Sequence, residues 1–334
     1  MKKIINNPEN IIPEMIDGFV SANKRYFEKV QGVNGILAKD RRKDKVTLVI
    51  GGGSGHEPMY SGFIGKGLGD ASVCGNVFAS PDPNTIYETA RAAHAGKGIL
   101  FVYGNYSGDN LNFDMAEQML QDDGIKTAHV RVMDDCASAP PERKEDRRGI
   151  AGNVFMVRIA GAACDLGLSL EETTKLVEDI VPNLRSIGIA VSPGQLPGLD
   201  KPTFELGDDE IEFGMGMHGE PGIRRDKMQP ADKMVDALYQ SITEDMPLNK
   251  GDEVCVLING LGITTILELS IVYRRVHQLL EKDGIAVYDA DINNYSTSQG
   301  MGGFSISILK LDSQIKELYN KPCFCPYYAK EGLK

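Results

Sequence analysis

The run Lys45-Val46-Thr47-Leu48-Val49-Ile50 passes directly into Gly51-Gly52-Gly53-Ser54-Gly55-His56-Glu57-Pro58, and this junction constrains the fold more than any other feature. A short β-branched run that halts at glycines reads as a buried strand ending in a loop. The rhythm then repeats. Ile86, Ala90 and Ala93 have helical spacing within 85–95, and Pro81 and Pro83 lie at the start, where proline is tolerated. Residues 98–103 read as the next strand, 104–109 as a loop, and the following stretch through Met119 as a helix. Residues 127–132 form a further strand. Strands alternating with helices imply an α/β fold whose sheets are mostly parallel or mixed and covered by helices.

The pattern breaks over 183–209, where Pro193, Gly194, Pro197, Gly198 and Pro202 crowd together, and this stretch reads as a crossing between lobes. Beyond it, strands are expected at 253–258, 285–289 and 305–311, with a long amphipathic helix over 264–280. No solenoid period is visible. The expectation is two α/β domains, 1–185 carrying the glycine loop and 186–334 carrying a second histidine motif. A length of 334 residues suits two domains of ordinary size.

Composition excludes several classes of function. Hydrophobic residues make up 42% and charged residues 25%, as in a globular protein with a sizeable core. A net charge of −11 argues against sequence-independent nucleic-acid binding. The apolar runs are far shorter than the ~20 residues of a membrane-spanning helix. Met1-Lys2-Lys3-Ile4-Ile5-Asn6-Asn7 turns polar too soon for a signal peptide, so the chain is expected in the cytoplasm. Six cysteines are too sparse for a disulfide framework. Cys323 and Cys325 suggest a metal clip, but no second ligand pair is spaced to complete one, and no metal is expected.

Three motifs carry chemistry. The glycine loop sits where ligands bind in open α/β sheets, with backbone N–H groups available to a small molecule. Its spacing fails both the P-loop and the dinucleotide fingerprint. The alternatives are a ligand loop or a tight strand-to-helix turn; four glycines among residues 51–55 exceed what a turn needs. The second motif, Gly104-Asn105-Tyr106-Ser107-Gly108-Asp109-Asn110, leaves the next strand. Two such loops above one sheet would set His56 and Asp109 over a common pocket as an acid–base pair. Asp109 also reads as an Asx turn or helix N-cap. The third motif is Gly214-Met215-Gly216-Met217-His218-Gly219-Glu220-Pro221-Gly222. Flanking glycines leave the His218 ring open to a small ligand, and Arg224-Arg225-Asp226-Lys227 offers charge suited to phosphate or an acidic partner. His94, His129 and His277 read as structural.

Together, in this order, the three motifs resemble the K subunit of the dihydroxyacetone kinase family. Supporting segments are 72–81, Arg147-Arg148-Gly149-Ile150-Ala151-Gly152 and Ile258-Asn259-Gly260-Leu261-Gly262, and the likeness runs from about residue 1 to 330. The resemblance implies that His218 holds the ketone as a covalent hemiaminal, which selects dihydroxyacetone over glycerol. It implies acid–base roles for His56 and Asp109, and a hydroxyl pocket involving Gly53, Ser54, Gly55, His56, Gly104, Asp109 and His218. ATP-dependent members carry a further nucleotide domain. This chain has no room for one, so it resembles the separate subunit of the phosphotransferase-system-dependent type. The resemblance then implies no cofactor in this chain, ADP and magnesium on a nucleotide-bearing L subunit, a phosphocarrier M subunit, and a homodimer.

One departure stands out. Family members carry a lysine just before the Asn-Tyr of the second motif; here it is Gly104. That makes a four-carbon ketose such as erythrulose an alternative substrate. A ketone-sensing co-activator paralogue is the alternative from another class. A Rossmann-type oxidoreductase would rest on a glycine loop of the wrong spacing.

Overall fold

In the computed structural model, residues 2–332 are described, and they divide into two compact units that the chain enters more than once. One unit comprises Lys2–Val132, Val154–Ile180 and 315–332; the other comprises Met133–Asn153 and Val181–Gln314.

The first unit holds strands β1 (Phe27–Lys29), β2 (Gly35–Ala38), β3 (Lys45–Ser54), β4 (Ala71–Val77), β5 (Gly96–Gly104) and β6 (Thr127–Val132). They form one mixed sheet in the order β1-β2-β4-β3-β5-β6, with β4, β3, β5 and β6 mutually parallel. Its helices are α1 (Ile11–Ala22), α2 (Pro83–Ala93), α3 (Ser107–Asp122), α4 (Asn153–Cys164) and α5 (Leu170–Glu178). Val49, Ile99, Phe101 and Tyr103 on one sheet face pack with Ile86 and Ala90 of α2 and Phe113, Ala116 and Leu120 of α3. Leu48, Ile50, Leu100 and Val102 on the opposite face are also fully buried, as expected of parallel strands covered on both sides. α2 starts at Pro83 behind an Asp82 cap, and α5 starts with a Ser169–Glu172 capping box.

The second unit holds β7 (Leu184–Ser192), β8 (Glu210–Phe213), β9 (Arg224–Lys227), β10 (Glu253–Gly260), β11 (Ala286–Asn293) and β12 (Gly302–Leu311). The order is β11-β10-β12-β7-β8-β9, with only β10 and β11 parallel. Helices α6 (Ala231–Asp245) and α7 (Ile266–Asp283) pack one face, where Leu238, Ile242, Leu269 and Val276 meet Ile187, Val256, Ile306 and Ile308. The chain then returns to the first unit through α8 (Ser313–Tyr319), β13 (Cys323–Cys325) and β14 (Tyr328–Lys330). Lys66 and Phe324 form a bridge there.

A single boundary at 185/186 does not describe this division. Leu184–Ser192 is an inner strand, not a crossing, because its Ile187 and Ile189 are core residues of the second sheet. The irregular stretch begins only after it. Residues 133–153 belong with the second unit and 315–332 with the first, held by long-range burial that leaves no local mark in the sequence. α4 escapes a periodicity reading as well, since Val154, Phe155, Met156, Val157, Ile159 and Ala160 are all buried and no polar stripe exists. Among the described residues no helix is long and apolar enough to cross a membrane.

Candidate active site

In the first unit, β3 and β5 are neighbouring parallel strands, so the loops that follow them leave the same edge of the sheet. The glycines at the end of β3 are demanded by packing. A Cβ at Gly51 would lie 2.1 Å from the Val73 side chain, one at Gly52 would lie 2.9 Å from the Tyr60 ring, and one at Gly53 would lie 2.9 Å from the Ala79 nitrogen. Gly55 has φ +102°, and its N–H donates to both Glu57 carboxyl oxygens at 3.1 and 3.0 Å. Burial raises the Glu57 carboxyl above its ordinary range against those bonds. Ser54 donates its hydroxyl to Gly75 O at 2.7 Å and accepts the Phe78 N–H on its carbonyl at 2.9 Å.

His56 is 2% exposed, and its ring stacks on Phe78 with centroids 5.0 Å apart. Asp109 is buried in the first turn of α3 and is not the N-cap, which is Tyr106. A carboxylate there lies in the favourable field of the helix N-terminus. The loops after β3, β4 and β5 are tied together: Asn112 donates to Pro81 O at 2.9 Å, and Gly104 N–H donates to the Tyr60 hydroxyl at 3.3 Å. Gly53, Ser54 and Gly104 at the ends of β3 and β5, Gly55 and His56 in the loop after β3, and Asp109 in the first turn of α3 therefore all follow from the carboxyl ends of two neighbouring strands.

His218 belongs to the second unit, in the loop 214–223 that joins β8 to β9 in an antiparallel hairpin. The loop folds back on itself at Gly214 (φ +75°) and Gly219 (φ +91°). Glu220 then clamps the histidine, taking the His218 N–H at 2.9 Å on Oε2 and contacting ring Nδ1 at 2.9 Å through Oε1. Burial would raise the Glu220 carboxyl, but the bond from His218 and the imidazole charge prevail and draw it down to about 2. Gly216 leaves room for this clamp, because a Cβ there would lie 2.1 Å from Glu220 Oε2 and 2.5 Å from the Arg148 guanidinium and would push both side-chain ends aside. Arg148 is fixed by Asp135 at 2.8 Å and donates to Gly214 O at 3.2 Å. On the other side Ser298 donates to Met217 O, and Asn259 holds the 295–296 backbone through bonds of 2.8 to 3.0 Å. Two of the supporting sequence segments thus brace the histidine loop.

Glu220 joins the candidate site residues through its two contacts with His218, a role that no motif assigned to it. Its signal was a carboxylate two residues after a glycine-flanked histidine. In the basic run 224–227, Arg225 pairs with Glu212 at 2.9 Å, Lys227 with Asp209 at 2.7 Å, and Arg224 lies over the Phe213 ring. These exposed cations are therefore drawn into pairs within the hairpin and its flanking turn. His129 lies in β6 and His277 in α7, as expected, whereas His94 caps the end of α2. Among the described residues one group, Asp114, Glu117 and His129, brings three ligand atoms within 4.8 Å of one another. Arg131 donates to Asp114 at 2.7 Å and to the Tyr103 hydroxyl at 3.2 Å, so one of the two carboxylates already has a cationic partner. Cys323 and Cys325 are buried and not disulfide-bonded, and Cys325 Sγ accepts from Tyr328 N–H at 3.1 Å.

The Dak1 domain model matches residues 17–327. This chain belongs to the Dak1 family. It is 40% identical over 330 residues to the dihydroxyacetone-binding subunit DhaK of a PTS-dependent dihydroxyacetone kinase 2 from Listeria innocua, covering 98% of this chain and 99% of that protein. It is 36% identical over 338 residues to an L-erythrulose kinase from Pectobacterium atrosepticum, where it spans all of this chain but 57% of that protein. Among solved structures, a dihydroxyacetone kinase operon co-activator superposes with a TM-score of 0.89 at 28% identity, covering 96% of this chain and 99% of that one.

Proposed function

We propose that this Dak1 chain is the dihydroxyacetone-binding subunit of a phosphoenolpyruvate-dependent dihydroxyacetone kinase, with His218 as the ketone-capturing nucleophile. The observation that carries the reading is the Glu220 clamp on His218. A neutral imidazole that donates Nδ1–H to Glu220 keeps its lone pair on Nε2. That pair attacks the carbonyl carbon, the C=O π electrons move to oxygen, and the oxygen takes a proton. The Nδ1 proton is released in balance, so the product is a neutral hemiaminal. Glu220 steadies the positive charge that develops on the ring, as the carboxylate of a catalytic triad does. A carbonyl is required, so glycerol is not captured.

His56 and Asp109 then take the proton from the attacking hydroxyl as the phosphoryl group arrives. The backbone of Gly53, Ser54 and Gly55 lines the hydroxyl end. ADP and magnesium belong to a nucleotide-bearing L subunit, recharged by a phosphocarrier M subunit. The assembly is cytoplasmic, and this subunit forms a homodimer. Sensing without turnover is the second reading, favoured by the close superposition on the co-activator.

Intact-mass spectrometry with dihydroxyacetone tests the capture step. The wild type gains one ketose mass, and His218→Ala gains none; an adduct that survives the substitution sinks the assignment. Reconstitution with L and M subunits separates kinase from sensor. A kinase turns over, and replacing His56 or Asp109 lowers the rate by roughly 10²-fold or more.

A further inference from the structure

Arg148, in the segment 147–152, is a mostly buried cation. Its backbone is pinned: its carbonyl accepts the Asp135 N–H at 3.1 Å, and its own N–H donates to the Ser138 hydroxyl at 3.0 Å. Asp135 in turn bridges to Ser186 of β7, so the guanidinium is anchored to an inner strand of the second sheet. Nε and Nη2 donate to Asp135 Oδ2 at 3.1 and 2.8 Å, and Nη2 also donates to Gly214 O at 3.2 Å, where the histidine loop first turns. Nη1 lies 3.9 Å from Glu220 Oε2, the oxygen that takes the His218 N–H. The two ends meet beside Gly216, where no side chain intervenes. Asp135, Arg148, Glu220 and His218 thus form a row of ionisable groups within the second unit. The neighbouring carboxylates are engaged elsewhere: Asp134 accepts the Ile150 and Gly152 N–H groups at 2.8 and 2.9 Å, and Glu212 pairs with Arg225.

We infer that Arg148 is a positioning residue for ketone capture, holding the Glu220 carboxylate on His218 and offsetting part of the charge that the ring meets. The inference rests on the capture reading above and deepens it. A carboxylate with no cation beside it favours the imidazolium, which has no lone pair to attack a carbonyl. A guanidinium beside that carboxylate leaves more of the ring in the nucleophilic form. Asp135 does not cancel the Arg148 charge. Burial pushes its carboxyl up to about 7 against the pull of Arg148, so near neutrality it carries only part of a negative charge.

The test follows dihydroxyacetone adduct formation by time-resolved intact mass between about pH 5 and 9, the range in which histidine titrates. The full chain is compared with Arg148→Gln and Arg148→Lys, with circular dichroism as the check of folding. Arg148→Gln keeps N–H donors for Asp135 and Gly214 but has no charge. Its plateau rate is expected to fall roughly tenfold and its acid limb to move up by about one pH unit. Arg148→Lys restores the charge without the fork, so the limb returns to the wild-type position while the plateau stays low. An acid limb that does not move in Arg148→Gln overturns the inference, because a residue that only props the loop would lower the plateau alone. Should Arg148→Gln not fold, Arg148→Lys decides: a wild-type plateau there overturns the inference, and a low plateau with an unmoved limb supports it. Absence of any adduct in the wild type would instead remove the capture reading on which it stands.

Discussion

In the proposed capture step the His218 imidazole acts in one tautomer and one orientation, and the Glu220 carboxylate is placed to favour both. Glu220 binds the backbone N–H and the ring nitrogen of the same residue, which fixes the χ angles of the histidine as well as its protons. Replacing it by glutamine retains an acceptor oxygen and removes the negative charge that steadies the imidazolium. Glu220→Gln is expected to slow adduct formation roughly 10- to 100-fold, read by time-resolved intact mass. The pH dependence has a definite sign. The folded carboxyl is depressed to about 2, so its charge is present above that value and is lost only as pH falls through it. Capture between about pH 5 and 8 then does not follow the titration of Glu220. The sequence displayed Glu220 beside His218, but a carboxylate two residues away can point anywhere until the chain turns back, and that turn uses Gly214 and Gly219 in the left-handed region.

At the scale of elements, the two halves present their histidines by different means. His56 follows a parallel strand, in the position that open α/β sheets reserve for ligands, and this was legible from a β-branched run ending in glycines. His218 sits on an antiparallel hairpin, where no such rule applies; only its motif marked it. The ends of the Glu220 and Arg148 side chains occupy the space beside Gly216 in the hairpin loop. Gly216→Ala would drive Glu220 and the Arg148 guanidinium apart from the loop, and adduct formation should fall roughly tenfold or more, since small misplacements of a reacting group carry large rate costs. Adduct formation at the wild-type rate would show that the clamp tolerates a methyl group and is not tightly built. β7 illustrates the opposite failure of sequence reading. Its run Leu184-Arg185-Ser186-Ile187-Gly188-Ile189 was drawn into the irregular stretch by the prolines and glycines that follow it. Nothing local said that this run would pair with β12 and become a central strand.

Across a whole unit, stability leans on one buried charge cluster. Arg147 donates to Asp245 at 2.8 and 2.6 Å, Arg185 donates to the same carboxylate, and all three side chains are nearly inaccessible. Burial would raise the Asp245 carboxyl, but the bonds from the two guanidinium groups bring it down to about 2. The contribution is therefore full above the ordinary aspartate value of about 4 and disappears as pH falls from there toward about 2. Asp245→Asn leaves two buried cations without their counter-charge and should cost about 3–5 kcal/mol in denaturant unfolding. It should also flatten the loss of stability between about pH 4 and 2; an unaltered acid limb would refute the assignment. The sequence by itself determined the local devices: strands that end in glycines, a histidine in each motif, and the family to which the motifs belong. Those follow from residue type and short spacing. Tertiary structure alone decided that 133–153 and 315–332 join units remote in sequence, that β7 is an inner strand, and that the cations of 224–227 are already paired. These outcomes depend on long-range burial and on partners far along the chain, which no local pattern encodes.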